Sequence, residues 1–373
     1  MAVTFHDIPQ KYAPSDNPVT YRFSSNQTAQ ANFSFLVETY INGAIVATDK
    51  VFPENGIYAH FDASTITRYI VPTPTLSTVI SQNSGTMNLI KVKVTEYYGT
   101  TPTAQANATS TETYTFKACL SNEAWISSDF ETNYEAVQFL TNYPRAERVQ
   151  VLRGQDVQLA MITNQSLLLT IRFYDSSDVL IDTYTDTQNY YIWQLNLKSS
   201  ILDAIVLGGI AGISYFIVDI AGQDPITFEY FDDYCNAPFS LLWMNEFGSY
   251  DTFVFKHNNA LNASVSNESY GKQFGQWDGN SFNYAIQTSG TIDFSKSVKE
   301  KGELTSDYLT QLLQNWLVEL YKSPFLLLYG VNTIGLPINI EGGSYQIMQE
   351  RFEDLISESV RYSKSTEHRS LSI

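Results

Sequence analysis

Apolar and polar residues alternate along much of the first 230 positions of the chain, the period of a half-buried β-strand. Val19, Tyr21 and Phe23 share one side of residues 17–25, and Phe33, Phe35, Val37, Thr39 and Ile41 share one side of 32–41. Asn42-Gly43 then separates that run from 44–51. Asn-Gly between two alternating runs predicts a tight hairpin, because both turn residues need positive φ. Residues 87–98 predict a further strand, with Ile90, Val92 and Val94 on one face and Leu89, Lys91, Lys93 and Thr95 on the other. The stretch 113–118 closes the unit, and the polar segment 99–112 reads as a hairpin loop or mobile tip. The plan then recurs. Strands are expected at 157–162, at 167–173 (Leu167, Leu169, Ile171, Phe173), at 179–185 after the turn Asp175-Ser-Ser-Asp178, and at 190–197, 214–220 and 227–230.

The two halves share an order of features. Asn-Gln-Thr at 26–28 and Asn-Gln-Ser at 164–166 precede the two hairpins. Phe61-Asp62 and Leu195-Asn196 follow them, and an aromatic strand runs into Cys119 in one half and Cys235 in the other. This order points to two related β-sandwiches of about 110 residues; chance alignment of generic strand patterns is the competing reading. The uncharged run 204–218 is shorter than the roughly 20 residues of a membrane span and contains Gly208, Gly209 and Gly212, so it reads as two buried strands with a glycine-rich turn.

From Pro238 the pattern changes. Residues 241–255 read as strand, turn, strand, and 270–293 as further strands. Leu309, Leu312, Leu313, Trp316, Leu317, Leu320 and Tyr321 then fall on one helical face. Thr305 or Ser306 is the expected cap and Ser323-Pro324 the stop, giving a helix near 305–322. Strands are expected at 325–329, 336–340 and 345–348, with 352–362 ending the fold. The apolar stripe (Leu309, Leu313, Trp316, Leu320) packs on its own sheet or forms an oligomer interface. The expected fold is mainly β: two tandem immunoglobulin-like β-sandwiches followed by an α+β module with one amphipathic helix. The domains are 1–119, 120–236 and 237–373.

With 43% hydrophobic and 16% charged residues the chain supports packed cores and is not disordered. Its 39 acidic against 22 basic residues, a net charge of −17, argue against direct nucleic-acid binding along the chain. The acidity favours solubility instead. The opening MAVTFHDIPQKY has neither the basic region nor the apolar core of a secretion signal. Cys119 and Cys235 supply no disulfide framework and no zinc site, and read as buried thiols. The six Asn-x-Ser/Thr sequons read as chance in a chain rich in those residues.

Chemistry is sparse. His6, His60, His257 and His368 lie far apart in sequence, and none falls in a metal-binding pattern. Residues 208–212 lack dinucleotide or P-loop spacing, and no Gly-x-Ser-x-Gly exists. Asp232-Asp233 and Asp175/Asp178 are the candidate carboxylate pairs for sugar hydrolysis or calcium, although aspartates at turns usually bond their own backbone. No catalytic, cofactor or metal residue is assigned, and the protein is not expected to be an enzyme. Aromatics, 14% of the chain, suit either sandwich cores or exposed contact surfaces.

Two stretches carry a resemblance. Residues 6–26 and 32–71, with Pro9, Tyr12, Pro14, Asn17-Pro18, Phe35, Asn42-Gly43 and Phe61-Asp62, resemble the N-terminal β-module of virion proteins of tailed phages infecting Bacteroidetes, crAss-like phages included. Trp243, Asn245, Gly248, Asp251 and Phe255 are similar to a Trp-x-Asn-x-x-Gly-x-x-Asp-x-x-x-Phe signature of the same proteins, which is followed, as here, by a helix ending in Ser-Pro. The matches span about half the chain. The resemblance implies a neck, collar-ring or tail component located in the virion and assembled in the bacterial cytoplasm. Its partners would be further copies of itself in a closed six- or twelve-fold ring, together with neighbouring ring, portal or tail proteins, with no membrane. The five signature residues read as structural groups at a domain junction. The alternative is a tail adhesin or carbohydrate-binding protein that recognises the host surface, which long tip loops such as 99–112 would favour. A polysaccharide-degrading enzyme ranks third. A basic patch around Lys296, Lys299 and Lys301 would favour a DNA conduit.

Overall fold

The hairpin at Asn42-Gly43 forms as the alternation requires. Ser34–Ile41 and Ala44–Val51 pair antiparallel with Ile41 opposite Ala44, and the turn residues have φ of 49° and 84°. The computed structural model describes residues 3–73, 76, 81–83, 87–121, 138–163, 166–188, 192–206, 209, 211–231, 238–272, 275–283, 290–330, 333–342 and 357–369. The chain divides into two compact units, Met1–Tyr230 with Met244–Thr252, and Phe231–Trp243 with Phe253–Ile373. The fold is mainly β and built of sandwiches.

The first unit holds two sandwiches. In the first, a sheet ordered Val3–Asp7, Thr20–Ser25, Tyr58–Asp62 faces a larger sheet ordered Tyr12–Pro14, Thr113–Phe116, Asn88–Tyr98, Ser34–Ile41, Ala44–Val51. Tyr21 and Phe23 from one sheet meet Phe35, Val37, Val92 and Val94 from the other in a single buried cluster. At about 1.5–3 kcal/mol for each large apolar side chain removed from water, this layer is the main stabilising term of the sandwich. The segment 99–112 differs from expectation. Thr103–Thr109 is a strand folded back on Asn88–Tyr98, with Tyr98 opposite Thr103 and Lys93 opposite Thr109. Its side chains are mostly exposed, so backbone pairing holds it and its hydropathy carries no strand signal.

The second sandwich packs a sheet ordered Gln138–Phe139, Gln158–Ile162, Ile192–Asn196, Ser81–Asn83 with one ordered Arg148–Leu152, Ile226–Phe231, Tyr215–Ile220, Leu167–Tyr174, Leu180–Gln188. Ser81–Asn83 comes from the first 119 residues, yet pairs with Ile192–Asn196, Asn83 opposite Trp193. The run 204–218 is not two strands. A short helix, Ser199–Leu202, continues into turns, the Val206 amide bonding the Leu202 carbonyl and the Gly209 amide the Val206 carbonyl, and among the described residues of the run only Tyr215–Ile220 begins a strand. Leu207, Gly208 and Ile210 lie outside the described residues.

The two halves repeat at one detailed point. Asp62 ends its strand, and its carboxylate accepts from the Ser64 amide and hydroxyl at the start of the helix Ser64–Ile70. Asn196 ends its strand, and its side-chain oxygen accepts from the Lys198 amide ahead of Ser199–Leu202. In both places a short acceptor satisfies an amide that the helix start leaves free.

The second unit is built on a seven-stranded sheet ordered Tyr250–Phe255, Phe239–Met244, Leu326–Gly330, Thr333–Ile340, Ser359–Arg369, Thr291–Thr305, His257–Gly271. A small hairpin, Gln276–Asp278 with Ser281–Asn283, lies between the last two strands in sequence. The amphipathic helix spans Gln311–Lys322, starting later than expected. Thr305 and Ser306 do not cap it, because the sheet holds them: Thr305 sits opposite Ser359, and the Ser306 amide bonds the Glu358 carbonyl at 2.8 Å. Thr310 is the cap, its hydroxyl accepting from the Leu313 amide at 3.3 Å. Leu309 is buried but lies ahead of the helix, Trp316, Leu317 and Leu320 are buried on it, Leu313 is half-buried and Leu312 is 53% exposed. The strands expected at 345–348 and the start of 352–362 lie outside the described residues.

Leu320 is fully buried, so Leu320→Ala leaves a cavity and is expected to cost about 2–5 kcal/mol, whereas Leu312→Ala is expected to cost under about 0.5 kcal/mol. Denaturant unfolding of the two variants checks this ordering.

Candidate functional site

The signature residues divide between the two units. Trp243 and Phe255 belong to the second, and Asn245, Gly248 and Asp251 to the first. In the second unit Trp243 is fully buried with its ring centroid 5.0 Å from that of Trp316, and Phe253 lies 6.1 Å from Trp316 and 5.0 Å from Phe255. The helix stripe and the Trp and Phe of the signature thus form one aromatic core, as expected of packing residues.

In the first unit, residues 244–252 form a turn in which Asn245 is the hub. Its side-chain oxygen accepts from the Phe247 amide at 3.1 Å and the Ser249 amide at 3.0 Å. Its side-chain nitrogen donates to the Leu140 carbonyl at 3.0 Å and to Asp251 Oδ1 at 2.9 Å. The Asn245 amide also donates to the Ser249 carbonyl at 2.9 Å. Asp251 is fully buried, and the same oxygen accepts from the Thr141 hydroxyl at 2.7 Å. A buried carboxylate is tolerated when donors surround it. Arg145 lies nearby, its guanidinium 5.1 Å from the centre of the Phe139 ring. Burial pushes Arg145 below its usual pKa, and the charge of Asp251 opposes that shift.

The turn touches both sandwiches of its unit. Toward the first, the Cys119 amide donates to the Glu246 carbonyl at 2.8 Å, and Gly248 lies against the Lys117 carbonyl. Toward the second, Asn142 donates to Glu246 at 2.8 Å, the Ala160 amide to the Ser249 hydroxyl at 3.2 Å, and the Thr252 amide to the Tyr143 hydroxyl at 2.7 Å, while the Gln155 side chain bonds the Thr252 hydroxyl. Phe247 packs on a cluster that joins Tyr12 and Phe116 of the first sandwich to Leu140, Ala160 and Ile192 of the second. Asn17 reinforces the same place, donating to the Leu120 carbonyl at 3.0 Å and accepting from the Leu120 amide at 2.8 Å. Sequence reasoning found Asn245, Gly248 and Asp251 but missed Thr141, Gln155 and Ser249. Thr141 and Gln155 lie in sequence contexts without periodicity or motif and only the fold brings them to the turn, while Ser249 fills an unspecified position of the signature.

The other candidates resolve as turns and pairs. Asp175 Oδ1 accepts from the Ser177 amide at 2.8 Å and the Val179 amide at 2.9 Å, and Asp178 has φ of 61°, so this pair builds its own turn. Asp232, Asp233 and Cys235 lie outside the described residues. Cys119 is exposed, not buried as expected, because the strand before it has ended and its side chain faces away from the cluster that takes Ala118 and Leu120. Of the three lysines of the expected basic patch, Lys296, Lys299 and Lys301, the first pairs with Asp293 at 3.1 Å and the last with Glu341 at 2.5 Å. Among the described residues no group of three or more histidine, cysteine or acidic side chains is placed to hold a metal, and no helix is long and apolar enough to cross a membrane.

No family model matches the chain, and no curated protein matches it. Solved structures do. The full extracellular region of plexin A4 is similar over 97% of this chain and 36% of that one, at 9% identity and a TM-score of 0.21. The chain therefore spans about a third of that protein. A complex of Dpr2 Ig1-Ig2 with DIP-Theta Ig1-Ig3 matches over 98% of this chain and 90% of the other at 6% identity and a TM-score of 0.20, and the class 5 fimbriae chaperone CfaA over 61% and 99% at 10% and 0.19.

Gly248 has φ of +72°, and a Cβ there would fall 1.5 Å from the Lys117 carbonyl oxygen. Gly248→Ala is therefore expected to destabilise the protein by about 3 kcal/mol or more. Gly43→Ala, at φ +84° with nothing near, is expected to cost only about 1–2 kcal/mol. Thermal and denaturant unfolding of the pair checks the contrast. Burial raises the Tyr250 phenol from 10.0 to about 12. The folded state holds it neutral while the unfolded chain ionises, so its contribution is complete below pH 10 and is lost as pH rises toward 12. Tyr250→Phe is expected to flatten the fall in stability across that window, as read by unfolding at stepped pH.

Proposed function

We propose that this protein is a structural component of a tailed-phage virion that assembles as a closed homo-oligomeric ring in the neck, collar or tail. One observation carries the reading. The residues through which the chain resembles such proteins are those committed to fastening its β-units: Asn245, Gly248 and Asp251 in the turn that joins two sandwiches, and Trp243 and Phe255 in an aromatic core. Asn17 and Phe61-Asp62 of the N-terminal resemblance serve in the same way, at the Leu120 backbone and at the start of the first helix. A particle assembled from many copies needs subunits whose interface surfaces are held in fixed relation. Groups spent on internal fastening fit that demand better than they fit catalysis. Rings arise from heterologous interfaces that close on themselves, and adjoining sandwiches offer different surfaces at their two ends.

Light-scattering mass with negative-stain imaging of the same peak tests this. The expected outcome is one discrete particle with a closed outline, six or twelve times the 42.1 kDa chain. A protomer at every concentration, alone and mixed with the neighbouring virion proteins, would overturn the proposal.

A further inference from the structure

Strands His257–Gly271 and Thr291–Thr305 form an arm of about 50 Å, at about 3.3 Å per residue. Its base is supported by Ser359–Arg369, which pairs with residues 297–305. Beyond that point Thr291 lies opposite Gly271 and Ile292 opposite Tyr270, with no third strand among the described residues, and a two-stranded ribbon alone is marginal in water. Period-two geometry and the register place Val265 and Val298 on one face of the ribbon, and Tyr270 and Ile292, beyond the bulge at Glu268/Ser269, on the other, where the Tyr270 and Phe294 rings lie 6.1 Å apart. Val265 is 58%, Tyr270 50% and Phe294 38% exposed, so apolar side chains stand in solvent on both faces. The small hairpin beyond carries Trp277, 72% exposed, against Phe282 at a ring distance of 5.4 Å. Finally, among the described residues His257–Gly271 is the last strand of its sheet; it contains no proline or lysine, and Glu268 is its one carboxylate. Long edge strands normally carry such protection against pairing with another chain.

We infer that this arm docks on a second copy of the chain, through its strand edge, its exposed apolar side chains and Trp277. The inference rests on the ring reading above and deepens it by naming the contact. Charge favours a second copy as occupant. Residues 257–305 hold four lysines and five carboxylates, a net −1, so the rest of the chain carries −16 of the total −17. Two such acidic bodies repel face to face, and the arm is the long segment that approaches one without that repulsion. The same chain also offers receiving edges. Ala44–Val51 ends its sheet with Ile45 53% and Val46 39% exposed.

The test compares the full wild-type chain with Trp277→Ala and with Val265→Glu/Tyr270→Glu, all at exposed positions, by light scattering across a dilution series. Far-ultraviolet circular dichroism checks the fold, and amide hydrogen exchange of 257–271 is followed in the wild type above and below its assembly midpoint. The expected result is an assembly midpoint raised about tenfold or more in the variants, with arm amides that exchange more slowly in the assembled wild type. A wild type that assembles with no change in the variants and no protection of the arm overturns the arm contact and leaves the ring reading standing. A wild type that never assembles overturns both. Glycan-array binding that Trp277→Ala abolishes while assembly is untouched makes the arm a host-recognition tip and overturns its docking on a second copy.

Discussion

Backbone approaches backbone at Gly248 more closely than any side chain would allow, and the union of the two sandwiches depends on that approach. The Lys117 carbonyl occupies the space of a Cβ. Around it, the Asn245 side chain satisfies two amides of its own turn, a carbonyl of the second sandwich and a buried carboxylate. A network of this kind is worth most when every member is satisfied, since a low-dielectric setting strengthens each bond and penalises each orphan. The turn therefore acts as a specifying joint. Apolar contact at Phe247 supplies adhesion, and the polar bonds decide which relative placement of Tyr12, Phe116, Leu140 and Ile192 is accepted.

Elsewhere the architecture reuses one solution. Both sandwiches end a strand with a short acceptor side chain, Asp62 or Asn196, and turn at once into a brief helix that caps the layer. Short helices of this length have little stability of their own. They persist because packing holds their buried residues, Thr67 in one and Leu202 in the other. The repeat thus survives at the level of hydrogen-bond geometry, where the aligned residues differ in identity.

What was legible in the sequence follows from how local each signal is. Asn42-Gly43, the faces of Tyr21, Phe35 and Val92, and the stripe of Trp316 and Leu320 are set by periodicity and turn chemistry within a few residues, and all were readable. Thr103–Thr109 was not, because its partners lie across a hairpin and its own side chains bury little. The start of the helix was misplaced because Thr305 and Ser306 are good caps locally, while pairing with Ser359 and Glu358, some fifty positions away, claims them first. The glycine-rich run 204–218 read as strand on hydropathy alone, which cannot separate an apolar turn, here with Ala204, Ala211 and Gly212 exposed, from a buried strand. At the candidate site the hub Asn245 stood out beside Gly248 and Asp251, but Leu140, which accepts from Asn245, and Thr141, which donates to Asp251, are brought there from over a hundred positions away by tertiary structure.

The short strand Ser81–Asn83 sets an order of events during synthesis. Its partner Ile192–Asn196 leaves the ribosome more than a hundred residues later, a delay of about ten seconds at ordinary elongation rates. For that interval the first sandwich must close its own core while keeping this segment unclaimed. The second sandwich, in turn, completes its sheet only on a chain whose beginning has already emerged. A gene fragment cut between the two sandwiches would leave one half with an orphaned ribbon and the other with an uncovered edge. The two look like separable modules, but the loan of three residues makes them a single heritable piece.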